Sequence, residues 1–132
     1  MIYLNDVHFF SFSMGCGCST NTRAELLALW AVLRVSLIMG LPIHLIFGDS
    51  MVIISWLNRL AALNVPSLIH WCDDIRNMLQ HVAQVIFKHI FREHNSLADS
   101  LSKQALKLDM RYGTFSESLD GMVIDHGQFL LF

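Results

Sequence analysis

At 132 residues the chain is long enough for one domain with a real core and too short for two. Hydrophobic residues make up 54% of it and mean hydropathy is +0.47, which argues for heavily buried elements. A formal net charge of −2, with both signs scattered rather than in blocks, excludes a basic field able to steer nucleic acid from a distance.

Met1 to Leu4 reads as the tail of a strand, Asn5-Asp6 as a turn, and Val7 to Met14 as a second strand ended by Gly15 and Gly17. Cys16-Gly17-Cys18 has two readings: half of a metal clip, or two small apolar residues at a Gly-rich strand exit. No second Cys or His pair at zinc spacing accompanies it. With Cys72 the chain has three cysteines and no secretory signal, the usage of a reducing, intracellular compartment, nuclear or cytoplasmic.

A helix is predicted from Thr22 to Met39, with Leu26, Leu29, Trp30, Leu33 and Leu37 as its core stripe. Gly40 stops it and Pro42 follows. Ile43 to Phe47 is nearly all apolar, the composition of a parallel strand buried on both faces. Leu26 to Phe47 is apolar enough to raise a membrane span, but Gly40 and Pro42 split it into halves of different periodicity. A span needs about 20 unbroken apolar residues, so a membrane partner is rejected.

Ser50 opens a second helix through Val52, Ile53, Trp56, Leu57 and Leu60. Pro66-Ser67 opens a third, through Leu68, Trp71, Cys72, Ile75, Leu79 and Val82. Gln84 to Phe91 reads as another strand, and Ser96 caps a last helix through Leu97, Leu101, Ala105 and Leu108. From Asp109 the pattern weakens, so residues 109–132 are expected to be an irregular tail with one candidate strand at Met122 to Ile124. A hairpin followed by alternating helices and strands makes this an α/β layered domain.

Three carboxylates sit where regular elements meet: Glu25, Asp49 and Asp99. Each has two readings. Thr22-Arg23-Ala24-Glu25 has the form of a capping box, Ser96-Leu97-Ala98-Asp99 the same form with Asp, and Asp49 stands where it would cap the helix that Ser50 begins. The other reading is a shared site. Asp49 ends a buried strand, the carboxyl ends of strands are where open α/β sheets hold ligands, and hard cations such as Mg²⁺ and Mn²⁺ prefer carboxylate oxygen.

The run Thr20-Asn21-Thr22-Arg23-Ala24-Glu25-Leu26-Leu27-Ala28-Leu29 resembles the second catalytic segment of the type 1 ribonuclease H family. Phe47-Gly48-Asp49-Ser50 resembles the third, and Arg92-Glu93-His94-Asn95-Ser96-Leu97-Ala98-Asp99-Ser100-Leu101-Ser102-Lys103 the fourth. The style is closest to the plant branch related to retrotransposon-encoded reverse-transcriptase domains. The resemblance covers residues 1–108 and implies a ribonuclease H-like layered fold, a mixed sheet with helices on its faces. It implies cleavage of the RNA strand of an RNA–DNA hybrid with Mg²⁺ or Mn²⁺. It assigns Glu25, Asp49 and Asp99 as metal-binding and catalytic carboxylates, His94 as a histidine assisting turnover, and Asn21 and Asn95 as nucleic-acid contacts. An exposed loop histidine is the other reading of His94.

The pattern departs from the family at one place. The family's first strand, with the first catalytic aspartate, has no counterpart before Met1, and Asp6 lies in a turn and does not replace it. Weak, single-metal binding is therefore expected. So are exposed sheet edges, which a partner chain or a dimer would cover. A non-catalytic, retroelement-derived remnant or interaction domain is the alternative function.

Overall fold

The computed structural model describes residues 1–15, 21–41, 45–82, 85–105, 108 and 112–130, leaving aside the side chains of residues 92, 99, 102, 104 and 105. In chain order its elements are strands β1 (Ile2–Tyr3) and β2 (His8–Met14), helix α1 (Asn21–Met39), strand β3 (Leu45–Gly48), helices α2 (Met51–Leu57) and α3 (Ile69–Leu79), strand β4 (Ile86–His89), helix α4 (Ser96–Ala105), and strands β5 (Tyr112–Leu119) and β6 (Met122–Leu130). Short 3-10 turns at Pro66–Leu68 and Arg92–His94 precede α3 and α4. The class is mixed α/β, an antiparallel sheet of order β1-β2-β5-β6 and a parallel pair β3-β4, with helices. Two compact units divide it: Met1–Cys18 with Ser96–Phe132, and Ser19–Asn95.

The first unit is built on the antiparallel sheet. Asn5 makes its opening turn as read from the sequence: its side-chain oxygen accepts from the N–H groups of Val7 (3.0 Å) and His8 (2.9 Å). Ile2 then pairs with Phe10 and Tyr3 with Phe9. On β2, Ser13 is buried and donates to the main-chain oxygen of Leu101 on α4 at 2.9 Å, tying helix to sheet. His8 Nε2 meets Glu117 Oε1 at 2.6 Å, joining β2 to β5.

The expected irregular tail is a β-hairpin instead. Asp120 (φ 51°) and Gly121 (φ 78°) both take positive φ, the two-residue turn whose twist matches that of paired strands. Leu119 pairs with Met122 directly across it. Met122 to Ile124 is a strand, within a longer one, and its partner is β5. The weak alternation of residues 109–132 has a structural cause. Gly113 lies opposite Phe129 and Gly127 opposite Phe115, so each glycine is roofed by a phenylalanine of the other strand. Phe12, Phe115 and Phe129 continue that aromatic face, with Phe12 and Phe129 edge-on at 6.3 Å. A hydropathy pattern counts the glycines as breaks; in the sheet they are seats for rings.

The second unit is helical around the parallel pair. Helix α1 ends as predicted. Gly40 (φ 66°) takes the left-handed position, its N–H donates to the Leu37 oxygen, and the Leu41 N–H reaches back to the Ser36 oxygen at 2.9 Å. Its buried face is broader than the predicted stripe, taking in Leu27, Ala31 and Ser36, whereas Leu37 is exposed. Ser36 is tolerated there because its hydroxyl donates to the Val32 oxygen at 2.7 Å. Trp30 of α1 packs edge-on to Trp71 of α3 at 5.2 Å. Helix α2 stops at Leu57 rather than reaching Leu60, since Arg59 (φ 60°) makes a left-handed end without glycine and Leu60 turns out to solvent. The Arg76 guanidinium of α3 lies 4.6 Å from the Trp56 ring centre and donates to the Trp56 oxygen, fastening α3 to α2.

Two further expectations are corrected. The strand predicted from Ile43 begins at Leu45 among the described residues, and it is not buried on both faces: Leu45 and Phe47 are 42% and 53% exposed, as is Ile86 at 56%. Strand β4 is shorter than Gln84 to Phe91. Cys16, Cys18, Ile43 and Gln84 lie outside the described residues. Among those described, no helix is long and apolar enough to cross a membrane.

Leu33 is fully buried. Leu33→Ala is expected to cost about 2–5 kcal/mol, read as a lower urea midpoint at unchanged slope.

Candidate functional site

Parallel pairing runs from Leu45↔Ile86 to Gly48↔His89, so β3 and β4 end at the same place. The ladder is carried one step further by the Ile90 N–H, which donates to the Gly48 oxygen at 2.9 Å. Asp49 leaves β3 at that end, half-buried. Gly48 sits at a close approach: a Cβ there would stand 3.2 Å from Ile54 Cδ1 of α2, so the Ile54 side chain would have to give by a few tenths of an ångström. Ser50, not Asp49, is the N-cap of α2, its hydroxyl accepting from the Ile53 N–H at 3.4 Å. That corrects the capping reading of Asp49.

His89 was not singled out by sequence reasoning. It is the last residue of β4, and its Nε2 lies 3.2 Å from the Asp49 main-chain oxygen. A carbonyl only accepts, so Nε2 carries the proton and donates. The His89 ring is also edge-on to Phe91, at 5.5 Å and 84°. A bond spanning 40 residues leaves no local trace in the sequence.

Glu25 lies on α1, half-buried, just before the fully buried Leu26. The helix begins at Asn21, so Thr22 is inside its first turn and is not the cap that a Thr22–Glu25 box requires. Asn21 is exposed at the first helical position. His94 closes the 3-10 turn, exposed, its N–H donating to the Phe91 oxygen at 2.9 Å, and Asn95 follows, half-buried. Asp99 is on the first turn of α4, and its side chain lies outside the description.

Glu25, Asp49, His94, Asn21 and Asn95 belong to one compact unit and Asp99 to the other. Glu25 and Asp49 supply hard oxygen donors, the type Mg²⁺ and Mn²⁺ take. Among the described residues no three His, Cys, Asp or Glu side chains are grouped closely enough to hold a metal ion. Covalent thiol chemistry has no support at Cys72: burial first, then the Asp73 charge, push the thiol up from its ordinary range, against a smaller opposing pull from Arg76.

A family model described as reverse transcriptase-like matches residues 5–105. The match takes in Glu25, Asp49 and Asp99 and ends before the β5–β6 hairpin. No curated protein and no solved structure matches the chain significantly.

Ser50→Ala is expected to cost about 1 kcal/mol by removing the α2 cap. The check is faster amide exchange at Ile53 with little change in the α1 and α3 cores.

Proposed function

Because the chain belongs to the reverse transcriptase-like family, a ribonuclease H-like domain family, we propose that it binds nucleic acid and that its chemistry is hydrolysis of the RNA strand of an RNA–DNA hybrid. The observation that carries this reading is the family match across residues 5–105, which contains all three motif carboxylates in order. In support, Asp49 stands at the carboxyl end of a parallel pair, the usual ligand position of open α/β sheets.

In this reading Glu25, Asp49 and Asp99 are the ligands of a divalent cation. Bound, the ion supplies an activated water and neutralises charge on the phosphate. The chain's own part is to present those carboxylates, to exchange protons with solvent through the exposed His94 imidazole, and to offer the Asn21 and Asn95 amides to phosphate or ribose. Recognition of RNA over DNA would come from 2′-hydroxyl contacts across a wide, shallow minor groove. Three acids surrounded by phosphate charge hold one ion weakly, not two tightly.

Purified chain with a labelled hybrid and Mn²⁺ tests the reading, and cleavage of the RNA strand supports it. Asp49→Asn is expected to slow cleavage by about 10²-fold, the scale of losing one preorganised electrostatic contact. Cleavage that Asp49→Asn leaves intact would remove Asp49 from the chemistry. Calorimetric titration with Mg²⁺ and Mn²⁺ is expected to show one weak site; two tight sites would overturn the cation assignment.

The exposed apolar side chains Leu45, Phe47 and Ile86 favour a second reading, a non-catalytic interaction domain whose partner covers them. Under that reading neither wild type nor Asp49→Asn cleaves, and light scattering shows association that rises with concentration.

A further inference from the structure

Three consecutive residues at the end of β3 are each held by a different device. Gly48 is locked by the last rungs of the parallel ladder and by the flank of Ile54. Ser50 is held as the α2 N-cap, its own oxygen accepting from the Ile54 N–H at 3.0 Å. Between them, Asp49 has its carbonyl engaged by the His89 ring. The ring is itself braced, since it is edge-on to Phe91 and His89 sits in register with Gly48. The peptide plane after Asp49 is therefore gripped by a side chain of the neighbouring strand, and the Cα–Cβ direction of Asp49 follows from that grip.

We propose that His89 is a positioning residue for Asp49: its Nε2–H, donated to the Asp49 carbonyl oxygen, locks the strand-to-helix turn and fixes the direction in which the Asp49 side chain leaves it. The bearing of this on catalysis rests on the nuclease reading; its bearing on the turn does not. His89 touches the backbone of Asp49, not substrate. Its effect is therefore transmitted through geometry, where an error on the order of 1 Å costs about 10²-fold in rate. Losing one neutral hydrogen bond shifts the turn's opening equilibrium by about two- to tenfold without unfolding the unit.

Two substitutions separate the donor from the ring. His89→Phe keeps a ring against Phe91 and removes the N–H. His89→Gln places an amide N–H near the position of Nε2. The first measurement needs no activity: the residual dipolar coupling of the Asp49 Cα–Cβ bond, which reports its direction and any averaging, together with amide exchange from Ser50 to Ile53. Wild type is expected to show a coupling that fits the rigid unit. His89→Phe is expected to show an averaged coupling and about two- to tenfold faster exchange, and His89→Gln is expected to restore both.

The second measurement is hybrid cleavage. His89→Phe is expected to lower kcat by about tenfold or more with KM unchanged, and His89→Gln to recover most of it. An unaltered Asp49 coupling in a folded His89→Phe overturns the proposal, and so does a loss that His89→Gln fails to restore. If the wild type cleaves nothing, the nuclease reading falls, and the coupling and exchange data still decide the role of His89. If His89→Phe does not fold, wild type against His89→Gln decides it, with an averaged coupling in the folded Gln variant counting against the proposal.

Discussion

Parallel pairing of two short strands is the constraint on which the rest of the second unit depends. Strands that run the same way must be joined by a long crossover, and here α2, the Pro66–Leu68 turn and α3 are that crossover. Its helices are fastened to the strands and to each other by specific contacts. Asn58, just past α2, donates to the Phe87 oxygen of β4, and Arg76 stacks on Trp56. Because both strands end together, Asp49 and His89 meet although they are far apart in the chain. An antiparallel pair would have sent them to opposite ends.

The first unit solves a different problem. A two-strand hairpin of β1 and β2 is marginal in water, and it gains stability from what pairs with β2. Strand β5 covers that edge over seven residue pairs, and β6 follows through a tight turn. Residues 112–130 are thus an integral part of a sheet, although they lie beyond the family-matched stretch. The interlocking of glycine and phenylalanine across β5 and β6 sets their register, since a one-residue slip would move the rings off their seats. A bulge between Glu117 and Ser118 shifts the register once, the kind of irregularity that bends an edge strand away from further pairing.

Ser50 is the N-cap of α2, and α1 begins before Thr22, so a box with Thr22 as its cap is out of register with the helix start. The chain belongs to a ribonuclease H-like family, and both Asp49 and Glu25 lie within the matched residues 5–105.

Local physics was legible in the residues alone. The Asn5 turn, the α1 end at Gly40, the apolar periodicity of α1 to α4, and the existence of strands before Asp49 and before Arg92 all follow from short-range sterics and hydropathy. The motif carboxylates were legible as well, and the resemblance of their segments to the ribonuclease H family agrees with the family match over residues 5–105. Asp120-Gly121 was equally legible as a hairpin turn, and it was masked only because glycines diluted the alternation around it. Tertiary structure alone decided that α2 ends at Arg59 without a glycine, that Leu45 and Phe47 stay exposed, that β5 pairs with β2, and that the His89 ring closes on the Asp49 carbonyl. The physical reason is common to all four: each depends on which groups meet across large sequence separations or on what covers a face, and periodicity along a chain carries no record of either.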